Sequence, residues 1–219
     1  MKGILFAAIL AASATTLAHA GDSSAVEAVG KPSVGDEWTY EVHLKNGAGE
    51  KNSIRKVTAT EVLSHTIVTK TVISGMELQD VVITDEFWNV LTGPDYRNSP
   101  NDGQGIRAML EVGKEWSFEN NAKSLHSSDE FHRSGSSRVI GNETLTTKAG
   151  TFSTTLIETN IRSRQANGPK LEETINLKTW FCPDINRWVK RIYTRMQIGN
   201  SNPAIQTLEL IEFKRAQPR

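Results

Sequence analysis

"VGDEWTYEV" at residues 34–42 and "VGKEWSFEN" at 112–120 are one line written twice, with five of nine positions identical. Thr39 against Ser117 and Tyr40 against Phe118 are conservative exchanges. In each copy a glycine, Gly35 or Gly113, lets the chain turn into a strand through a conformation that other residues resist. Trp38 and Tyr40, like Trp116 and Phe118, stand two apart and so share one side of a strand. Large aromatics at a strand start act as anchors, each burying much apolar area. The copies begin 78 residues apart, at 34 and 112. Each therefore opens one of two similar halves, roughly 34–93 and 112–215, with 94–111 as connector. The third position carries opposite charges, Asp36 against Lys114, which argues for a shared architectural role and against a shared catalytic one.

Working outward, the chain is rich in Thr, Val, Ile and aromatics in short runs, the pattern of strands. Candidate strands are 37–45, 53–63, 65–74, 77–91, 114–122, 136–146, 151–163, 171–181, 187–198 and 204–215. Turn residues separate them at Asn46-Gly47, Ser74-Gly75, Gly93-Pro94, Ala149-Gly150 and Asn167-Gly168-Pro169. The connections are short enough for antiparallel neighbours throughout. The expected fold is all-β with little helix: a curved antiparallel sheet or incomplete β-barrel of about ten strands, built from two similar halves. One single domain over 21–219 is expected, because a half of about 80–100 residues with one-sided strands would bury too little surface alone.

Alternation assigns faces. In 187–196 it puts Trp188, Ile192 and Met196 on one side and Arg187, Arg191 and Arg195, with Tyr193, on the other. The last strand, "IQTLELIEFKR" at 205–215, is apolar on both faces, as though something covers its outer side. The connector, "PDYRNSPNDGQGIRAMLE", is the one long irregular segment, with a single helical turn expected over Ile106 to Leu110.

The N-terminus, "MKGILFAAILAASATTLAHA", reads as a secretory signal peptide over residues 1–20, cleaved between Ala20 and Gly21. The expected location is periplasmic or secreted. No cysteine follows the cleavage point, which argues against a lipid anchor, and no later apolar run reaches spanning length; a soluble protein, not an integral membrane protein, is expected. Removal of Lys2 leaves 24 basic against 25 acidic residues, a balance that gives no case for nucleic acid. The lone cysteine, Cys182, cannot form an internal disulfide. It sits between Phe181 and Pro183 and reads as a small buried hydrophobe rather than a nucleophile.

Chemistry-bearing patterns are sparse. His126 and His132 lie six apart in "HSSDEFH", about 20 Å along a strand and too far for one metal; a solvated hairpin tip is the plainer reading, and no metal site is assigned. "DGQGIR" at 102–107 lacks the strand before and the helix after that a phosphate loop requires. There is no G-x-S-x-G serine elbow. The arginine stripe is the most definite charged feature. It would suit an anionic headgroup or acidic polymer, while the plainer reading pairs it across strands with Glu158, Glu172 or Glu209. No catalytic residue and no cofactor is assigned.

Three stretches, "VGKEWSFE" at 112, "VIGNETLTTKAGTFSTTLIE" at 139 and "TWFCPDINRWVKR" at 179, together resemble a broad group of uncharacterised exported bacterial proteins with G-K-x-W, A-G-T-F and W-x-x-P motifs. That group is similar in outline to the half-barrel of the periplasmic lipoprotein-localisation factors. The resemblance implies a concave apolar face for a lipid-like ligand and brings no catalytic residues. The function expected is non-catalytic binding of a hydrophobic or amphipathic ligand, or support of cell-envelope assembly. Trp38, Trp88, Trp116, Trp180, Trp188, Arg187, Arg191 and Arg195 are the expected contact residues. The alternative is a protein–protein module with an envelope partner, using a sheet edge or the arginine face; a hydrolase with an unrecognised site is third.

Overall fold

The computed structural model describes residues 31–76, 79–167, 171–199 and 202–217; the signal peptide read over 1–20 lies outside the described residues. Twelve strands follow in chain order: β1 Glu37–Asn46, β2 Gly49–Val62, β3 Thr66–Ile73, β4 Gln79–Asp85, β5 Val90–Thr92, β6 Tyr96–Ser99, β7 Glu115–Ser124, β8 Glu130–Thr147, β9 Gly150–Gln165, β10 Glu172–Cys182, β11 Arg187–Gln197 and β12 Ala204–Lys214. Each pairs antiparallel with the next, and β1 pairs with β12, so the sheet closes into a barrel. The all-β, antiparallel expectation stands. The incomplete barrel of about ten strands is corrected to a closed one of twelve.

Two local events account for the extra strands. The expected 77–91 strand breaks where the Asp85 carboxylate accepts the Phe87 and Asn89 N–H groups, both at 2.9 Å. Trp88 there takes a left-handed φ of 66°, a conformation that is rare outside glycine and must be held by its surroundings. It turns the indole inward, to 2 % exposure. The second event is β6, which forms within the connector and pairs with β7. The expected helical turn over 106–110 does not form. Ile106 N–H donates instead to Phe87 O at 2.8 Å, and Ile106 and Leu110 are drawn into the core.

The doubled line behaves alike at both sites. Gly35 and Gly113 have φ of 94° and 86°. Gly35 N–H donates to Ala59 O while Ala59 N–H donates to Asp36 O; Gly113 and Lys114 make the same exchange with Val139. The fates of the tryptophans differ: Trp38 is fully buried, whereas Trp116 is half-buried against the core.

The core fills the end of the barrel where β1 begins. Trp88 lies edge-on to Trp38 and to Trp188, with centroids 5.8 Å and 6.0 Å apart. Val57, Ile67, Phe181, Leu208 and Leu210 complete it. Trp38 Nε1 donates to Ile185 O at 3.1 Å, and Tyr40 hydroxyl donates to Trp188 O at 2.9 Å, so these buried polar atoms are satisfied.

β8 and β9 are the longest strands, and their joined end leaves the barrel wall to fold across its outside. Lys148 at the tip reaches Glu41 of β1 at 2.7 Å, and Trp180 Nε1 of β10 donates to Glu143 at 2.8 Å. Leu145, Ala149 and Phe152 pack against the core from this ribbon, which also contacts β12. This is the cover that the two-sided apolar pattern of the last strand called for. Elsewhere the outer wall carries ion pairs, Lys178–Glu158 and Lys190–Glu209 among them. A charged exterior is the reverse of a transmembrane barrel, whose outward band is apolar. No helix among the described residues is long and apolar enough to cross a membrane.

Candidate functional site

Arg187 and Arg191 of the stripe do not lie on a wet face, while Arg195 is exposed. A bulge between β10 and β11 sets Trp188 relative to Arg191: Trp180 is opposite Lys190 and Phe181 is opposite Trp188, leaving Val189 unpaired. One extra residue reverses the side-chain parity beyond it, so Trp188 shares the side of Arg191 instead of opposing it. The expected separation of Trp188 from the arginines is thereby corrected. Arg187 and Arg191 are each only 6 % exposed. The Arg187 guanidinium sits 4.2 Å from the centroids of Trp88 and Trp188 and 4.9 Å from Trp38. Desolvated cation–π contacts of this kind are favourable, at about 2 kcal/mol for the best placed. Burial nonetheless pulls the Arg187 pKa down to about 10 and pushes the Tyr40 hydroxyl beside it up to about 12.

Arg191 stands over Trp188 at 4.1 Å, donates from Nε to Thr179 Oγ1 at 3.1 Å, and donates from Nη2 to Gln104 O of the connector. The cross-strand partners expected for the stripe belong to other cations: Glu158 to Lys178, Glu209 to Lys190, and Glu172 to Arg162 and Arg164. Arg195, at the open end, pairs with Glu173.

Two further arginines point inward. Arg55 of β2 is half-buried opposite Tyr40, and Arg133 of β8 is buried with its guanidinium 5.3 Å from the Tyr96 ring. Burial lowers the pKa of both. Between Arg133 and Arg191 lies Asp102, whose Oδ1 accepts Val90 N–H at 2.7 Å and Gln104 N–H at 3.1 Å. Burial outweighs those bonds and the pull of both arginines, pushing its pKa up to about 6.

At the end opposite the tryptophan core the barrel is open. A cavity of about 320 Å³ there is lined by Tyr96, Gln104, Arg133, Tyr193 and Arg195 together with Leu44, Ile175 and Ala204. A second, of about 330 Å³, adjoins it through Arg195 and Ala204 and adds Phe131 and Leu171. A larger concavity, about 940 Å³, is a saddle on the outer wall over Ser117, Ser136, Asn160, Asn176 and Thr194, with Glu119 and Arg162 also in its lining; it lies outside the barrel, whereas the mouth gathers two arginines and two tyrosines beside apolar side chains, so the mouth is the better candidate.

The expected contact residues thus separate. Trp38, Trp88 and Trp188 form the packed end, where the interior is filled by the protein's own side chains. Trp116 packs against that core from the side, and Trp180 holds the ribbon on the outer wall. Arg187 is stacked within the tryptophans, Arg191 links them to the connector, and Arg195 lines the mouth. His126 Nε2 lies 3.0 Å from Pro94 O and His132 Nδ1 lies 3.2 Å from Asn121 Oδ1, both on the exterior. Cys182 is fully buried and its thiol pKa is raised by that burial.

Asp102, Arg55 and Arg133 escaped the sequence reading. A signal for the arginines was present: Arg55 shares parity with Val57 and Ala59, and Arg133 with Val139, which are core residues. A cation in phase with the buried side of a strand points inward. Asp102 had no such signal, because the connector has no period.

No family model matches the chain, and no curated protein matches it. Among solved structures, it is similar to a candidate lipoprotein from Parabacteroides distasonis ATCC 8503, with TM-score 0.50 and 12% identity over 85% of this chain and 98% of that one. The hypothetical lipoprotein YmcC from Escherichia coli K12 aligns with TM-score 0.46 and 13% identity over 83% of this chain and 86% of that one. At 12% identity the likeness to the Parabacteroides distasonis structure is one of fold alone.

Proposed function

We propose that this protein is an exported, non-catalytic carrier whose open barrel mouth takes an amphipathic, lipid-like molecule. The observation that supports this reading is the composition of the mouth. Apolar Leu44, Ile175 and Ala204 share a cavity with Tyr96, Tyr193 and two arginines. A concave, mostly apolar site with a few convergent polar groups is the usual form of a small-molecule site. The leader sequence and the fold likeness to a candidate lipoprotein support an extracytoplasmic setting. The location of the ligand differs from the sequence expectation: a molecule lying against Trp38, Trp88 and Trp188 would have to displace a packed core.

The protein-partner alternative loses much of its surface. Pairing of β1 with β12 leaves no free edge in the sheet of described strands, and Arg187 and Arg191 are buried. The test of the carrier reading is native mass spectrometry of the exported protein purified from its own host. A bound species of lipid mass, lost on Ile175→Arg, is expected. Protein that is ligand-free from the host and takes up no acyl compound afterwards would refute it.

A further inference from the structure

Across the barrel wall, Asn120 of β7, Arg133 of β8 and Ser163 of β9 are direct register partners in one row. All three are buried, at 3 %, 9 % and 0 % exposure. All three carry unpartnered polar atoms: both amide atoms of Asn120, Nε of Arg133 and Oγ of Ser163. Deeper in the lumen, Nε of Arg55 and both Nε and Nη1 of Arg187 are unpartnered as well. Buried donors left unpaired cost about 1–3 kcal/mol each, more when charged. Native proteins carry few of them, so a contiguous row calls for a function.

The charges agree. The arginines facing the lumen and mouth are Arg55, Arg133, Arg187, Arg191 and Arg195, and the acids that act on them are Asp80, Asp102 and Glu173. Among the described residues, five such cations therefore face three acids, and Glu173 is already paired with Arg195. An excess of positive charge in a low-dielectric interior is stabilised by bringing in an anion.

We infer that the head of the molecule held in the mouth is an oxyanion, phosphate or carboxylate, received by Arg133 with Asn120 and Ser163 beside it and Arg191 and Arg55 behind. This rests on the carrier reading and adds the chemistry of the head to it. Arg133 lines the cavity itself, and the other arginine there, Arg195, is already paired with Glu173, so an anion with its tail toward Leu44 and Ile175 has the Arg133 guanidinium to meet. Nε–H of Arg133, the Asn120 amide N–H and the Ser163 hydroxyl are three unpartnered donors in one register row, of which Arg133 is the member that lines the cavity.

The test uses the full exported chain stripped of bound lipid, titrated calorimetrically with decyl phosphate, decanoate, decan-1-ol and inorganic phosphate. The two charged decyl compounds are expected to bind at least tenfold more tightly than decan-1-ol. Arg133→Gln should remove at least tenfold from both and leave decan-1-ol within twofold; Arg133→Lys should recover part of the loss. Equal binding of decan-1-ol and decyl phosphate by the wild type overturns the anion inference and leaves the carrier reading standing. Inorganic phosphate binding as tightly as decyl phosphate upholds the anion site and overturns the lipid-like tail. Failure of every probe overturns both. Should Arg133→Gln not fold, the wild-type comparison of the decyl series decides by itself.

Discussion

Replacing Asp102 with Asn tests the electrostatics of the lumen without changing its shape. Both backbone bonds end on Oδ1, from Val90 and Gln104, and an amide oxygen accepts them equally well. The charged neighbours, Arg133 of β8 and Arg191 of β11, draw the carboxyl pKa down, and burial drives it up to about 6 from an ordinary 3.8. The folded state therefore holds this proton to a higher pH than the unfolded chain does. Its contribution to stability is fully present below about pH 3.8 and is lost as pH rises through about 6. The loss amounts to about 3 kcal/mol. A side-chain amide has no proton to release, so the Asp102→Asn variant escapes it. Urea unfolding followed by tryptophan fluorescence from pH 3.5 to 7.5 should show the two proteins nearly equal at the acid end. The variant should then gain about 3 kcal/mol relative to wild type across the window. Other carboxylates titrate alike in both proteins and cancel from the difference. A gap that is constant with pH, or that runs the other way, would refute the argument.

Four further outcomes follow from packing. A Cβ at Gly105 would lie 2.2 Å from Phe87 O and 2.5 Å from Asn89 N, both backbone, so Gly105→Ala should cost about 2–3 kcal/mol by calorimetry. Gly47→Ala, which meets nothing within 4 Å, should stay within about 0.5 kcal/mol of wild type. Trp38→Ala removes a fully buried ring that contacts Trp88, Phe213 and Arg187 and should cost about 3–5 kcal/mol. Cys182, fully buried with a raised thiol pKa, should react with a disulfide reagent only as fast as the protein unfolds; rapid labelling of native protein would contradict its placement.

Much of the architecture was legible in particular residues. Gly35 and Gly113 announced left-handed turns into strands, and both have them. Gly150 launches β9 from a φ of 133°, as the A-G-T-F stretch implied. The apolar pattern on both faces of 205–215 required an outer cover, although nothing in it named the β8–β9 ribbon as the cover. The arginine stripe was visible as a stripe, but alternation alone put Trp188 on the side opposite Arg191. The reason is Val189: an apolar residue at a bulge looks like an ordinary member of an alternating strand, and only pairing with β10 shows that it has no partner.

By itself, the sequence determined what neighbouring residues settle among themselves: strand type, turn positions and one-sided burial. Closure was decided only in three dimensions. Whether residues 37–45 meet 205–214 depends on twist, tilt and register summed over every strand between them, and no local pattern encodes that sum. The same holds for the mouth. Arg55, Asp102, Arg133 and Arg191 come from β2, the connector, β8 and β11, and each has an ordinary neighbourhood in the chain. Closing the barrel brings them together and removes the water that would have screened their charges.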